Sequence, residues 1–329
     1  MGKMEKRICL IEASDISRAA ALIRAGELVA FPTETVYGLG ANALDAEAVA
    51  KIYIAKGRPA ESPLIVHVDS IEMARSLVRE WPIKADLLAR RFWPGPLTLV
   101  LPKQPHIPDL VTAGLDTVGI RMPANNIALA LIREAGVPIA APSANRFTEL
   151  SPTTAEHVRM GLGEEVDLII DGGACEVGIE STVLSLAEGC PMLLRPGGIS
   201  RGQLEAVVGP IAEAQEVRAG AHPSPGMHPR HYSPRTNLYL VTKGDLRDGL
   251  LSGGRGEGIY LQHRHPLKHR QVGITIHQMP QRAGDYAAVL YDALHQADQG
   301  NYSWIAIDLP PNEPEWEAVH DRLKRAATK

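Results

Sequence analysis

Cysteine is scarce in this chain of 329 residues, which contains three: Cys9, Cys175 and Cys190. No two of them form a CxxC pair, so the sequence supports neither a disulfide framework nor a cysteine-based zinc site, and a reducing compartment fits best. Charge of one sign is not in excess either, because 34 Lys and Arg residues stand against 38 Asp and Glu residues. This balance excludes a polycation that coats nucleic acid, so any anion-binding site must be local.

Long hydrophobic runs and nucleotide-binding fingerprints are also missing. No uncharged stretch approaches the roughly 18 apolar residues of a membrane span, and the apolar run from Ile8 to Ile11 is too short for the core of a signal peptide. We therefore expect a cytoplasmic protein without membrane association. There is no Walker A sequence and no GxGxxG motif after a strand. His263, His265 and His269 lie in a basic stretch without carboxylate or cysteine neighbours, which is typical of a solvated edge rather than a metal site.

The chain does contain enough apolar sequence for about two folded domains. Strand-like runs alternate with helical periodicity, which predicts an α/β protein, and several connections are too short for a helix, which favours a mixed sheet. The stretch AQEVRAGAHPSPGMHPRHYSP is too rich in proline for regular structure. We therefore predict a first domain at 1–213, a linker or lid at 214–235 and a smaller α/β domain at 236–329.

The coarse reading of elements follows caps and periodicity. Ser14 and Asp15 are predicted to cap a helix that ends at Ala25, and a second helix is predicted from Asp45 to Lys56. Strands are predicted at 28–31, 63–68, 97–101, 118–122, 137–141, 168–170, 182–186, 192–194, 238–241, 259–262, 273–276 and 304–309. Further helices are predicted at 126–134, 154–160, 203–208, 285–296 and 313–326.

Three segments carry residues suited to chemistry, although each also has an ordinary structural explanation. The sequence FPTETVYGLG at 31–40 is a strand end followed by a loop of hydroxyls and glycine, which suits either a small polar ligand or a simple turn. Lys56 and Arg58 surround a helix end, where cations are favourable in any case. The strand in VPIAAPSAN delivers Ser143 and Asn145 to its carboxyl end, where α/β proteins bind ligands.

Arg121 is unusual because it lies in an otherwise apolar predicted strand, in the sequence TVGIRMP. A buried arginine needs an anionic partner. That partner is either a structural Asp or Glu, or a carboxylate or phosphate of the substrate, and spacing alone does not decide between them.

Taken in order, the motifs resemble one family. The series PTETVYGLG, KGRP, PLIVHV, WPGPLTLVL, TVGIRMP, APSAN, ESTV, LRPGG and SPGM followed by RHYSP is similar to the threonylcarbamoyl-adenylate synthase family in its long form, over about Ala19 to Pro234. The resemblance implies a YrdC-like twisted, mixed, open sheet with helices, followed by a smaller Rossmann-like α/β domain. It also implies an enzyme, a nucleotidyltransferase that makes threonylcarbamoyl-adenylate and pyrophosphate from L-threonine, bicarbonate and ATP, for modification of adenosine in tRNA.

The resemblance also implies site residues and partners. Lys56, Arg58 and Arg195 are expected to supply the catalytic positive charge. Contacts with ATP or the adenylate are expected at Arg58, Ser62, Thr117, Ala141, Ser143, Asn145, Ser151, Arg195, His231 and Tyr232, and contacts with L-threonine at Thr35, His67, Arg121 and Ser181. Mg²⁺ is expected to arrive with ATP, and no cluster of acidic residues identifies protein ligands for it. We expect a monomer, with room for transient contact with the machinery that transfers the threonylcarbamoyl group to tRNA.

Two other functions compete with this one. A YrdC-like domain could bind structured RNA without catalysis, although RNA binding does not require an amino-acid pocket. A carbamoyl-adenylate enzyme of the hydrogenase-maturation type would carry acylphosphatase and zinc-finger segments, and this chain has neither.

Overall fold

The computed structural model describes residues 8–10, 13–213, 231–242, 256–267 and 272–328. Within these ranges the chain forms two compact units. The first takes in the residues up to Phe147, Ser151–Glu176 and the residues from Glu180 onward as far as 213. The second takes in Thr148–Leu150, Val177–Ile179 and the described residues from His231 onward. Most of the predicted linker, residues 214–230, lies outside the described residues.

The first unit is built on a mixed sheet of eleven strands among the described residues. The strands are β1 (Ile8–Leu10), β2 (Val29–Phe31), β3 (Gly38–Asn42), β4 (Ile65–His67), β5 (Leu97–Pro102), β6 (Thr117–Arg121), β7 (Ile139–Ala140), β8 (Leu168–Asp171), β9 (Thr182–Ser185), β10 (Met192–Arg195) and β11 (Ala212–Glu213). Their order is β1-β8-β2-β3-β7-β4-β6-β5-β9-β10-β11. Parallel and antiparallel neighbours are interspersed, so the predicted twisted mixed sheet is confirmed.

Helices of this unit follow the capping signals where those signals exist. They are α1 (Ala13–Arg24), α2 (Ala46–Lys56), α3 (Ile71–Ser76), α4 (Ile83–Phe92), α5 (Asp109–Thr112), α6 (Asn126–Ala135), α7 (Ala155–Gly161) and α8 (Arg201–Val208), with a short 3₁₀ turn at Gly163–Glu165. The Asp45 carboxylate accepts hydrogen bonds from the N–H groups of Glu47 and Ala48, and Gly57 ends α2 at a φ of 59°. The prediction for α2 is thus confirmed, whereas α1 already begins at Ala13, so Ser14 and Asp15 lie inside the helix instead of capping it.

Apolar side chains cover both faces of the sheet. Val29 and Phe31 of β2 pack on one face against α1 and α6, and Ala30 between them belongs to the core on the opposite face. Alternation of this kind follows from the period of two along a strand. The sheet is therefore the middle layer, and polar groups at its strand ends are enclosed by packed structure.

The second unit contains a separate parallel sheet. Its strands are β12 (Leu238–Val241), β13 (Gly258–Gln262), β14 (Ile274–Gln278) and β15 (Trp304–Asp308), in the order β12-β15-β13-β14, and its helices are α9 (Ala283–Gln299) and α10 (Glu317–Ala326), with a 3₁₀ turn at Pro314–Trp316. All three neighbouring pairs are parallel, as expected for a Rossmann-like unit. None of the helices in the described part of the chain has the length and apolar character that crossing a bilayer requires.

Candidate active site

The loop after β2 holds its hydroxyls in fixed positions. The Thr33 hydroxyl donates to the carbonyl oxygen of Val36 at 2.6 Å and accepts from the backbone N–H groups of Thr35 and Val36. The Thr35 hydroxyl lies 2.8 Å from the Thr33 hydroxyl, and both threonines are buried. Thr33 therefore forms the local turn, and Thr35 is the hydroxyl that this turn positions.

Arg121, at the end of β6, is paired with Glu34 of the same loop. Arg121 Nη2 lies 2.7 Å from Glu34 Oε2, and each side chain is 5% exposed. The Arg121 Nε–H also donates to the carbonyl oxygen of Gly95 at 3.4 Å. Of the two kinds of partner that the sequence left open, the structure shows the protein carboxylate.

Glu34 retains capacity to bind a further group. Apart from the ion pair, the described residues offer neither of its carboxylate oxygens a hydrogen-bond donor. A buried carboxylate without its full set of donors is costly, and such groups occur where a ligand completes the set. Sequence reasoning missed Glu34, although it stands in the motif PTETVYGLG, where an acid beside a buried strand is the signal.

His67 lies beside Arg121, because β4 and β6 are parallel and these two residues are partners in the register. Burial, and to a lesser extent the charge of Arg121, lowers the pKa of His67 to about 3. The imidazole is therefore neutral at physiological pH, and it can exchange a hydrogen bond with a hydroxyl without adding charge.

A second group of contacts surrounds Ser181, which precedes β9. Its hydroxyl lies 2.8 Å from the Thr98 hydroxyl, and Arg195 donates to its carbonyl oxygen from Nε at 3.1 Å and from Nη2 at 2.9 Å. Next to it, Glu180 accepts a hydrogen bond of 2.6 Å from the Ser151 hydroxyl. Thr98 and Glu180 were also missed from sequence, because their partners lie far away along the chain.

Lys56 holds the loop that carries Ser143 and Asn145. Its ammonium donates to the carbonyl oxygen of Ser143 at 2.5 Å, to the carbonyl oxygen of Asn145, and to Asn145 Oδ1 at 3.4 Å. Lys56 is only 3% exposed. The Lys-x-Arg and Ser-x-Asn motifs therefore meet in space.

Arg58 lies beside a surface cavity on the sheet. Its Nη2 donates to the carbonyl oxygen of Pro63 at 3.0 Å. The cavity is small, with a volume of about 10 Å³, which is room for about one water molecule, and its lining combines Thr117 and Thr98 with apolar residues. The complete lining is Pro63, Leu64, Ile65, Thr98, Val100, Leu115, Thr117, Gly119 and Val183. Ser62 precedes this lining, and the backbone N–H of Ala141 donates to the carbonyl oxygen of Ile65.

Two predicted ATP contacts, His231 and Tyr232, belong to the second unit, and the other predicted site residues belong to the first. Tyr232 is fully buried, with its ring centroid 5.7 Å from that of Tyr291 and 5.3 Å from the guanidinium carbon of Arg322. The described residues contain no group of three or more His, Cys, Asp or Glu side chains that could hold a metal ion.

Comparison with known proteins identifies the family. Residues 21–197 match the family model described as "Telomere recombination", and residues 199–328 match the threonylcarbamoyl-AMP synthase C-terminal domain. The threonylcarbamoyl-AMP synthase of Bacillus subtilis is 46% identical over 320 residues, covering 95% of this chain and 92% of the relative. The one of Pyrococcus abyssi is 52% identical over 234 residues, covering 70% and 69%.

A solved structure agrees over almost the whole chain. The crystal structure of P. abyssi Sua5 complexed with L-threonine matches with a TM-score of 0.88 at 41% identity, covering 96% of this chain and 95% of the other. The resemblance seen in the motifs is thus confirmed independently by sequence and by fold. The chain belongs to the threonylcarbamoyl-AMP synthase family.

Proposed function

We propose that this protein makes threonylcarbamoyl-adenylate and pyrophosphate from L-threonine, bicarbonate and ATP. The observation that carries the proposal is the buried Glu34–Arg121 pair beside neutral His67, with the fixed hydroxyl of Thr35 next to Glu34 in the chain. A free amino acid has an anionic carboxylate and a cationic ammonium group. The pair supplies a group of opposite charge for each of them, Arg121 for the carboxylate and Glu34 for the ammonium group. The names of the relatives support the same function.

L-Threonine would be recognised at both ends and at its side chain. Arg121 binds the carboxylate, and Glu34 accepts hydrogen bonds from the ammonium group through the oxygens that lack donors in this structure. Thr35, His67 and Ser181 recognise the remaining polar groups. A site that hydrogen-bonds a substrate hydroxyl rejects analogues without it strongly, because its own buried groups would be left unpaired.

The first chemical step joins threonine to bicarbonate. The amino nitrogen forms a bond to the bicarbonate carbon, one water molecule leaves and one proton is released, which gives the N-carboxylate. In the second step a carboxylate oxygen attacks the α-phosphorus of ATP, and the bond to the bridging oxygen breaks as pyrophosphate leaves. A carboxylate nucleophile needs no general base at this step.

Positioning and positive charge would then supply most of the catalysis, because charge builds on the leaving pyrophosphate. We assign this role to Arg58, Arg195 and Lys56. Lys56 acts in part through the 143–145 loop that it holds. Mg²⁺ comes with ATP as part of the substrate, bound by phosphate oxygens and water.

The product is a reactive mixed anhydride, so a following transfer reaction must consume it, and we propose that tRNA adenosine is the acceptor. The test of the function is pyrophosphate release from ATP with L-threonine, L-serine or L-alanine, in the presence and absence of bicarbonate. We expect release that requires bicarbonate and falls from threonine to serine to alanine. Release that is independent of the amino acid would overturn the proposal, and RNA binding of steep salt dependence without turnover would favour the RNA-binding alternative.

A further inference from the structure

The first step of the proposed reaction releases a proton from threonine. An α-ammonium group has a pKa of about 8, so at neutral pH most of the amino acid has no lone pair on its nitrogen. The nitrogen forms its bond to the bicarbonate carbon only after it has lost a proton. The site therefore needs a base within reach of the ammonium group.

Glu34 has the position that such a base requires. Its side chain is 5% exposed, and its Oε2 lies 2.7 Å from Nη2 of Arg121. Within the described residues, neither carboxylate oxygen has a hydrogen-bond partner, and neither does Arg121 Nη2. An amino acid whose carboxylate meets Arg121 would bring its ammonium group to Glu34 and supply the partners of all three atoms.

The other ionisable side chains that the described residues bring to this pair are poor proton acceptors. Arg121 of β6 is always protonated. His67 of β4 has a pKa of about 3, because of its burial and the charge of Arg121, so its imidazole is a weak base. Burial, and then the charge of Glu34, raises the pKa of the Cys175 thiol to about 12, and burial raises the pKa of Tyr37. Both of these side chains keep their protons at neutral pH.

Two more carboxylates, Asp171 and Glu176, act by their charge on Tyr37 and Cys175 respectively. Glu176 is exposed, and Asp171 accepts a hydrogen bond of 3.0 Å from the backbone N–H two residues further along the chain. Water or the backbone thus satisfies each of them, in contrast to the buried Glu34.

Threonine binding itself would make Glu34 a better proton acceptor. The substrate carboxylate and Glu34 would share the single guanidinium of Arg121, and two carboxylates beside one cation repel each other. The enclosed site also disfavours the charged forms of both a carboxylate and an ammonium group. Both effects favour the transfer of a proton from the ammonium group to Glu34.

We propose that Glu34 is a catalytic residue, which takes the proton from the threonine ammonium group before the nitrogen attacks bicarbonate. One N–H bond breaks and an O–H bond forms on Glu34, so the lone pair stays on the nitrogen. That pair forms the bond to the bicarbonate carbon, and the bicarbonate hydroxyl leaves as water with a second proton from the nitrogen. Glu34 then returns its proton to water before the next turnover. This inference rests on the proposed function and identifies the base of its first step.

The test compares Glu34→Gln with Glu180→Gln. Glutamine keeps the size of the side chain and one acceptor oxygen, but it cannot take a proton at neutral pH. Glu180 is a second buried glutamate of the first unit, and it accepts a hydrogen bond from Ser151. Pyrophosphate release at saturating threonine, bicarbonate and ATP gives kcat from about pH 6.5 to about pH 8.5. The ratio of variant to wild type at each pH removes effects of pH on bicarbonate and ATP.

Only threonine bound as the free amine can react in Glu34→Gln, and about one tenth of an α-amino group is in that form at pH 7. We therefore expect this variant to lower kcat at least about tenfold at pH 7, and its kcat ratio to wild type to rise towards one as the pH increases. The ratio for Glu180→Gln should not change with pH. A raised threonine KM with unchanged kcat, or a ratio for Glu34→Gln that is constant with pH, would overturn the proposal. Absence of threonine-dependent release in wild type would instead overturn the function.

Glu34→Asp keeps the test decisive if Glu34→Gln does not fold. Aspartate keeps the charge beside Arg121 but withdraws the carboxylate by about 1.5 Å, the length of one C–C bond. Because a misplacement of about 1 Å can cost on the order of 100-fold in rate, we expect kcat to fall at least about tenfold. The kcat ratio to wild type should stay constant with pH, since a base is still present. A change in the threonine KM alone would overturn the proposal.

Discussion

At the scale of single residues, the buried Glu34–Arg121 pair links stability to activity. Arg121→Ala leaves a carboxylate buried without its partner, so we expect the free energy of unfolding to fall by about 3–5 kcal/mol. The double variant Glu34→Gln, Arg121→Ala also removes the charge of Glu34, so it should recover much of the lost unfolding free energy. We expect threonine-dependent pyrophosphate release to be absent in both variants. Urea unfolding and the release assay measure the two effects separately. Threonine-dependent release in the double variant would show that the substrate carboxylate binds elsewhere.

His67 makes the stability of the protein depend on pH in a defined direction. Its pKa is about 3 in the folded protein and 6.5 in the reference state, so between these values the unfolded chain binds a proton that the folded chain does not. The contribution of neutral His67 to the free energy of unfolding is complete above pH 6.5. As the pH falls below this value, the free energy of unfolding falls by up to about 1.4 kcal/mol per pH unit. Between pH 6.5 and pH 5 we expect wild type to lose about 2 kcal/mol more than His67→Gln does.

Denaturant unfolding at these two pH values measures that difference. Exposed His106→Gln is the matched control, because it removes a histidine without removing a buried one. We expect this control to follow wild type. The same loss in wild type and in His67→Gln would mean that the buried imidazole is not what senses pH.

At the scale of elements, two lysines on α2 differ sharply in what they hold. Lys56 donates to the 143–145 loop, whereas Lys51 forms a partly exposed ion pair with Glu27 at 2.7 Å. Lys56→Met leaves buried carbonyl groups without a donor, so we expect it to cost on the order of 2–3 kcal/mol in unfolding free energy and to raise the ATP KM. Lys51→Met should cost no more than about 1 kcal/mol in unfolding free energy and leave kcat and the ATP KM unchanged. Equal effects of the two substitutions, by urea unfolding and kinetics, would contradict this assignment.

Several of the elements that the sequence predicts carry local signals. The helix α2 has an aspartate cap and a terminal glycine, and the apolar strands β5 and β9 stand out by composition. The strand β3 lies where the sequence predicts a loop, because GLGAN has low strand propensity. It forms because neighbours pack against it: a Cβ on Gly40 would lie 2.7 Å from Phe31 and 2.8 Å from Ile139. The helices α3 and α4 are absent from the prediction; the N-cap of α4, Pro82, makes no side-chain capping bond, and α3 spans only six residues.

At the scale of the whole molecule, the order of the motifs along the chain identified the family, whereas no single motif did so by its own residues and spacing. Arg121 was recognised as needing an anion, but its partner Glu34 is 87 positions away in sequence and becomes visible only when the loop after β2 meets β6. The carbonyl groups around Lys56 are equally distant in sequence. Such pairs depend on sheet order, which single-residue patterns do not encode.

The central claim is that the protein joins threonine, bicarbonate and ATP into one adenylate. The most direct measurement is incubation with ATP, L-threonine and ¹³C-labelled bicarbonate, followed by mass spectrometry of the nucleotide products. The account predicts threonylcarbamoyl-adenylate that is one mass unit heavier than the product from unlabelled bicarbonate, formed in step with pyrophosphate. Pyrophosphate release without a labelled adenylate would contradict it.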